Sequence, residues 1–488
     1  MSLRQKAVKG VVWSSIQQLG GQVISFLVFF WLARLLQPEH FGLIALASVY
    51  LSFIDVFIDQ GFSQAIVQRQ ELEPEHLNTA FWTSLGMSTI LTAFSLIAAD
   101  PIAQAFQEPS LAPIIRWLSL SFIFSALNSV QRALFSRKFA FKELAARSLI
   151  ASTSGGIVGI IMAFLGCNVW SLVGQQLVNG LIGVLILWSA SDWSPGLKVS
   201  KKHFRDLFSF SAHILGFNVL NFFNRRSDDF LVGYFLGSVE LGYYTVAYRL
   251  LLTVTRLMRT MSSVSLPTFS RLQSEPERLQ RGFYTATQLT SLIAFPVFIG
   301  QTTLATEIIT GLFGPQWTPS IPVMQILSFI GIVHSLNGIT VSVINSMGKP
   351  GWTLKVNILN SFANVTAFVL VVKWGIVAIA AAYVVRGYVL ALPIFLTMSC
   401  QLIGAKITTY LRYCATPLLG SVIMSGAILL LKPVLKPWVS IQVLLLIGII
   451  WGAIIYLATI YIFARQLIQQ VIDLVKIGIG GKSKKMSS

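Results

Sequence analysis

Charge is what this sequence has least of. Of 488 residues, 36 are Lys or Arg and 18 are Asp or Glu, a charged fraction of 11% against a hydrophobic fraction of 55%. Soluble domains carry about 25% charged residues, so the surface of a single soluble domain is excluded. Disorder is excluded too, because it needs high charge and low hydrophobicity. Cysteine is nearly absent. Cys167, Cys400 and Cys414 stand in or beside apolar stretches with no paired spacing, which argues against a disulfide or metal framework and for packing. None of the five His lies at metal-ligand spacing from another, and no His-Glu-x-x-His motif occurs, so no metal site is expected. There is no Gly-x-x-x-x-Gly-Lys-[Ser/Thr], hence no P-loop ATPase.

What is present is apolar length. Mean hydropathy is +0.72, and the class that fits is an all-α polytopic membrane protein. A membrane helix needs roughly 20 apolar residues. Segments set apart by charge, Pro or polar clusters fall at 9–36, 40–66, 77–99, 112–134, 143–165, 168–190, 206–236, 239–266, 283–312, 321–346, 351–371, 374–399, 412–432 and 440–463, fourteen in all. None alternates as a barrel strand does. Arg4, Lys6 and Lys9 precede the first segment, but its apolar core from Val11 to Leu36 is too long for a signal peptide and no small-residue cleavage site follows. It is expected to be the first transmembrane helix, with no cleavable leader.

The net charge of +18 follows the positive-inside rule. With a cytoplasmic N-terminus and alternating spans, twenty-seven of the 36 basic residues fall in or beside inside segments. Five fall outside, namely Arg34, Arg116, Lys373, Lys432 and Lys436, and four lie within spans. Both termini are therefore expected in the cytoplasm. The longest connections, Ser191 to Phe204 and Ser270 to Arg281, are both on that side. The reading divides the chain into an N-lobe (1–190, six spans), a cytoplasmic linker (191–205), a C-lobe (206–400, six spans), two further spans (401–463) and a basic tail (464–488).

An internal repeat supports the two lobes. An offset of 200 matches Phe30 with Phe230, Leu36 with Leu236, Gly42 with Gly242 and Ala47 with Ala247. An offset of 209 matches Leu118 with Leu327, Ser119 with Ser328, Ile123 with Ile332, Leu127 with Leu336 and Asn128 with Asn337. Six spans separate equivalent helices, so the repeats run parallel, related by an axis normal to the membrane.

Ionisable groups inside spans are expensive and mark pathways by default. Span seven carries Asn218, Asn221, Arg225 and Asp228 or Asp229 at helical spacing, one polar stripe. Arg225 can pair with Asp229 at i+4. Arg226 with Asp228 is then left for a second role. Either a cation faces an anionic substrate or an Arg–Asp clamp joins helices. Span two carries Asp55 and Asp59 one turn apart, which suits Na+ or H+ binding; the alternative is a hydrated Asp59 at the inner interface. Arg249 and Arg256 share a face of span eight, and with Arg225 and Arg386 they could line a cationic cavity suited to phosphate. Snorkelling to the inner interface explains Arg256 and Arg259 equally. Gln18 and Gln22, with Ser14 and Ser25, form a neutral stripe for sugar hydroxyls or for helix contacts. Trp13, Trp170, Trp317 and Trp438 read as interface anchors.

Five ordered segments carry a family resemblance: LARLLQPEHFGLIALA, IDQGFSQAIVQRQ, RRSDDFLVGYFLGSVELGYYTVAYRL, SLPTFSRLQSEPERL and FGPQWTPSIPVMQIL. With them the chain resembles the Wzx-type polysaccharide and lipopolysaccharide flippases of the multidrug/oligosaccharidyl-lipid/polysaccharide exporter superfamily, most of all the branch that exports colanic acid. The resemblance implies a MATE-like fold of two six-helix lobes around a central cavity, plus two C-terminal helices. It implies a carrier in the bacterial inner membrane that moves an undecaprenyl-diphosphate-linked oligosaccharide outward, for exopolysaccharide or lipopolysaccharide synthesis; alternating access by rocking of the two lobes is the expected mechanism. The family shows one Asp after a basic residue in the seventh helix, where this chain has Asp228 and Asp229.

The expected partners are the lipid-linked oligosaccharide, membrane lipids, and a polysaccharide polymerase with its export machinery; no nucleic acid and no cofactor beyond Na+ or H+ is expected. Three rival readings stand beside this one. A multidrug or cation antiporter wants an acidic cavity, which the Arg residues within spans oppose. A lipid-linked glycan polymerase or ligase needs a long outer loop, and the outer loops hold little beyond Glu39, Asp100, Glu108 and Glu240. A structural scaffold for export machinery leaves no mark in a sequence.

Overall fold

The computed structural model describes residues 3–59, 61–69, 71–262 and 265–465, with some side chains inside helices left out. Every element among these residues is helical. Twelve helices are long and apolar enough to cross a membrane, counted among the described residues. Two more apolar segments make up one long helix interrupted by a kink, so the architecture is compatible with fourteen spans.

The chain separates into two compact units, Met1–Val246 with Asn364–Ile379, and Ala247–Ala363 with Ala380–Ser488. The first unit opens with α1 (Leu3–Leu35) and α2 (Pro38–Asp59). A short α3 (Phe62–Gln68) follows Gly61, which sits at φ 79°, the left-handed region open to glycine. The second apolar segment, expected to run continuously through residue 66, therefore stops at Asp59 and turns. Next come α4 (Pro74–Ala105), α5 (Leu111–Leu118), α6 (Leu120–Arg137), α7 (Phe141–Phe164) and α8 (Trp170–Ser189). Helix α7 lies between α1 and α8, and α6 lies against α4 and α8. At one end of the unit Phe62, Ile66, Phe81 and Val130 bury together under Trp188 and Trp193.

The linker after α8 is not free. Trp82 Nε1 donates to Gly196 O at 2.9 Å, and Gly196 N donates to Asn78 Oδ1 at 2.9 Å. Ser200 N donates to Thr79 Oγ1 at 3.2 Å. These bonds lay the linker along the start of α4 and deliver the chain into α9 (Lys201–Ser262). Helix α9 breaks at Gly237, with φ 85° and ψ 179°. That break falls between the segments 206–236 and 239–266 read from the sequence. The freed N–H of Ser238 donates to Glu108 Oε1 at 3.1 Å, an acidic cap on a helix start.

At this break the offset-200 repeat becomes a contact. A Cβ on Gly42 would lie 1.7 Å from the carbonyl oxygen of Ser238, and a Cβ on Gly242 would lie 2.0 Å from that of Pro38. Pro38 and Ser238 are also equivalent under the offset. Helix α2 and the second segment of α9 thus meet reciprocally, each glycine admitting the other's backbone.

The second unit continues with α10 (Ser265–Arg271), α11 (Pro276–Thr303), α12 (Ala305–Ile308) and α13 (Ser320–Ser346), then α14 (Pro350–Val371) and α15 (Ile376–Arg386), both of which cross the division, and α16 (Leu392–Ile403), α17 (Ile407–Leu435) and α18 (Ile441–Phe463). Part of the expected loop 270–281 is helical, because Pro276 starts α11 well before the apolar segment. Helix α11 packs against α13 and α17, and α17 against α18. Leu304, Met424, Ile428, Tyr456 and Ile460 form their core. Trp317, expected at a membrane interface, is fully buried instead. Gly314 at φ 110° and the tight turn Pro315–Trp317 fold it inward. Trp438 is well exposed, as an anchor would be. The offset-209 repeat also has a counterpart in burial: Leu118, Ser119, Leu327 and Ser328 are all buried, each within its own unit.

Candidate functional site

In the first unit the acidic pair sits on the first segment of α9. Asp228 and Asp229 are both buried. Tyr244, fully buried on the second segment, donates its hydroxyl to Asp228 Oδ2 at 3.1 Å. Arg226 Nη1 donates to Asp229 Oδ2 at 2.9 Å. The sequence suggested an i+4 pairing of Asp229 with Arg225. The structure gives Asp229 an i+3 partner in Arg226, because Arg226 and Asp229 also share a face. The side chains of Asn221, Arg225 and Asp59 lie outside the described residues. Asn218 is half-buried, and Asp55 on α2 is exposed. On α1, Gln22 is half-buried and Gln18 is exposed.

The same unit holds a cation that sequence reasoning set aside as a topological charge. Arg147 on α7 lies half-buried, with Nε buried and without a hydrogen-bond partner. It rests against α8 where Gly183 leaves room: a Cβ there would come within 2.7 Å of the guanidinium. Only the depth of Arg147 along α7 could have pointed to it.

In the second unit Arg386 is the centre of a polar cluster. It ends α15 and is followed by a π turn, Gly387–Ala391, before α16. π turns inside helices occur often at functional sites. Arg386 Nη1 donates to Asn360 Oδ1 at 3.0 Å, and the guanidinium lies 5.2 Å from the centre of the Tyr383 ring. Tyr383 Oη is 3.3 Å from His334 Nε2. Arg386 Nε is buried and has no partner. Tyr248 packs near Tyr383, with ring centres 6.4 Å apart. Next to Tyr248 on α9, Arg249 is half-buried, and about two turns on Arg256 is exposed. Arg386 and Arg249 were legible from sequence; Asn360, Tyr383 and His334 were not, being neutral or isolated residues in apolar runs.

Chemically, Arg147 and Arg386 are guanidiniums held inside apolar spans, each with a buried Nε donor left for an acceptor. Arginine grips phosphate oxygens through its planar fork. A sequence profile described as polysaccharide biosynthesis protein matches residues 31–322, more than half of the chain. The chain belongs to this family.

Its relatives within polysaccharide biosynthesis are spread across kingdoms. The chain is 25% identical over 377 residues to the lipopolysaccharide biosynthesis protein WzxC of Escherichia coli (strain K12), covering 76% of each chain. It is 24% identical over 352 residues to the teichuronic acid biosynthesis protein TuaB of Bacillus subtilis (strain 168), covering 71% of this chain and 73% of TuaB. It is 22% identical over 450 residues to the probable low-salt glycan biosynthesis flippase Agl15 of Haloferax volcanii, covering 90% and 93%. Among solved structures it resembles the lipid II flippase MurJ in an inward closed conformation, with a TM-score of 0.75, 17% identity, 94% of this chain and 100% of MurJ covered. An inward-facing multidrug MATE family transporter of the MOP superfamily gives a TM-score of 0.59 at 17% identity, covering 81% of this chain and 98% of that one. This polysaccharide biosynthesis protein therefore has the fold shared by MurJ and this MATE transporter, and the resemblance to Wzx-type flippases holds.

Proposed function

We propose that the protein flips an undecaprenyl-diphosphate-linked oligosaccharide from the cytoplasmic to the periplasmic leaflet of a bacterial inner membrane, by alternating access, with both termini in the cytoplasm. The observation that carries this reading is Arg386. Its guanidinium sits well inside the apolar span Ile376–Ile403, oriented by Asn360 and Tyr383, with Nε–H unpartnered. A cation at that depth is costly, and a diphosphate passing through the membrane gives it a reason to be there. Arg249 adds a second charge, and Arg147 offers a comparable unpartnered donor in the first unit. The neutral stripe of Gln18 and Gln22 contacts the glycan while the lipid tail stays in the bilayer.

Na+ or H+ entry at Asp228/Asp229 or at Asp55/Asp59 resets the carrier. A membrane potential supplies roughly 2.3 kcal/mol per charge per 100 mV, enough to bias a two-state carrier by about 50-fold. The flipped unit then passes to a polysaccharide polymerase and its export machinery.

The test is export in a strain that depends on this chain. Arg386→Ala and Arg249→Ala should each stop polymer export while protein levels in the membrane stay normal. Full export by the double variant overturns the cationic reading. Transport of ethidium by the purified protein in vesicles favours the drug-antiporter alternative instead.

A further inference from the structure

Where α4 and α9 begin, four polar side chains converge that the transport reading does not use. Glu73 immediately precedes α4, His76 lies in its first turn, and His203 and Asp206 lie at the start of α9. Glu73, His76 and His203 each offer a donor atom within 4.8 Å of the other two. The two imidazoles meet edge to face, with centres 4.3 Å apart. His203 Nε2 is 2.9 Å from Glu73 Oε2, and this hydrogen bond holds the Glu73 carboxyl below its usual range. Asp206 Oδ2 lies 4.0 Å from His76 Nε2 and 3.5 Å from Arg69 Nη2.

Two further facts separate this cluster from an ordinary solvated patch. His76 is only 2% exposed, and its Nε2 has no hydrogen-bond partner. His203 Nδ1 is likewise buried and unpartnered. Buried ring nitrogens are normally satisfied. The backbone around the cluster is fixed by the linker bonds at Asn78, Thr79 and Trp82, so the donors are held together by the fold.

We infer that Glu73, His76 and His203 form a binding site for a divalent transition-metal ion of the Zn2+ type, with Asp206 beside it as an outer carboxylate. Two imidazoles and one carboxylate suit borderline metals, whereas Ca2+ and Mg2+ want all-oxygen shells. In tetrahedral zinc sites the ligand atoms stand roughly 3.4 Å apart, as bond lengths of about 2.0–2.1 Å require. The present donors need small side-chain rotations to reach that spacing. The proton balance is explicit. His76 Nδ1 accepts from Glu73 N–H at 3.2 Å, so its proton sits on Nε2. Ligation at Nε2 moves that proton to Nδ1, which opens the Glu73 N–H contact, and the proton that His203 Nε2 directs at Glu73 Oε2 moves to His203 Nδ1 as that nitrogen and the carboxylate turn to the ion. The open fourth position takes water. A bound ion would staple the entry of α9, the helix that carries Asp228 and Asp229, to the start of α4.

The experiment uses the untagged full-length protein in lipid nanodiscs, stripped with EDTA and titrated with Zn2+, Mg2+ and Ca2+ by calorimetry and by thermal melting. One Zn2+ per chain should bind and raise the melting temperature, as any ligand specific to the folded state does. Mg2+ and Ca2+ should do neither. His203→Gln and Glu73→Gln should each weaken Zn2+ about tenfold or more and lose the thermal shift. Glu73 is 63% exposed and His203 stands on α9, so both variants leave the buried His76 in place. Co2+ in place of Zn2+ should give a visible absorption band that His203→Gln removes. Failure of the wild-type chain to bind Zn2+ stoichiometrically overturns the proposal. So does binding that both variants leave unchanged. The readout is metal binding, so it stands or falls apart from flipping.

Discussion

The reciprocal glycine contact between α2 and α9 makes a quantitative test of the packing possible. Gly42→Ala puts a methyl group 1.7 Å from the Ser238 carbonyl oxygen, and Gly242→Ala puts one 2.0 Å from the Pro38 carbonyl oxygen. Neither obstacle is a side chain that can rotate away; both are backbone. Restoring an ordinary contact needs the two segments to part by roughly 1.5 Å, in an interior packed like a crystal. Overpacking of this kind costs about 1–3 kcal/mol, and with backbone on the far side we expect each single variant near the top of that range. One parting motion relieves both clashes. The double variant should therefore cost about as much as either single one, with a favourable coupling of at least about 1 kcal/mol in a double-mutant cycle. Equilibrium unfolding in mixed detergent micelles reads these values directly. Gly86→Ala, on α4 with nothing within 4 Å of the new methyl, is the control. It should be neutral or stabilise by up to about 1 kcal/mol, the helix preference of alanine. A Gly42→Ala protein as stable as wild type, or singles that add in the double, would refute the argument.

Two further outcomes follow from buried polar pairs. Tyr244→Phe removes the hydroxyl that donates to the buried Asp228 carboxylate at 3.1 Å; it should destabilise the protein by about 1–3 kcal/mol, and Tyr244→Phe combined with Asp228→Asn should lose less than the sum, as the same unfolding assay reads. Glu307 on α12 pairs with Lys432 on α17 at 2.7 Å, and Glu307 is buried. Glu307→Ala should cost about 3–5 kcal/mol by leaving the Lys432 ammonium with the Thr303 carbonyl but no counter-charge, while Glu307→Leu with Lys432→Leu should recover much of that stability.

Twelve of the spans were legible because hydropathy alone dictates them, and the gap read between residues 236 and 239 coincides with the Gly237 break in α9. The repeat was legible because equal positions do equal work, as at Gly42 and Gly242. The end of the second span was not, since Gly61 turns the chain inside an apolar run that reads as continuous. Trp317 was misread for a related reason: an aromatic near a span end is an interface anchor unless a tight turn buries it, and that turn depends on Gly314. Within the candidate site, Arg249, Arg386 and Asp228 announced themselves as charges in grease. Arg226 as a partner of Asp229 escaped notice because i+3 and i+4 both lie on one face, while the Arg225 side chain lies outside the described residues. Arg147 was hidden in a basic count. His76 and His203, far apart in sequence, meet only because the linker folds back on α4, and no spacing rule reaches that far.

The contact at Gly42 and Gly242 is self-complementary. Pro38 and Gly42 in the first copy stand against Ser238 and Gly242 in the second, each proline-or-serine carbonyl against the other copy's glycine. A patch that mates with its own duplicate is isologous, the kind found across the two-fold axis of a symmetric dimer. A half-length chain carrying that patch would own both sides of the joint and could close on a second molecule of itself. Joining two such halves in one chain would need no new residue there: positions 38 and 238 meet the joint through backbone and can differ, whereas both glycines are required together.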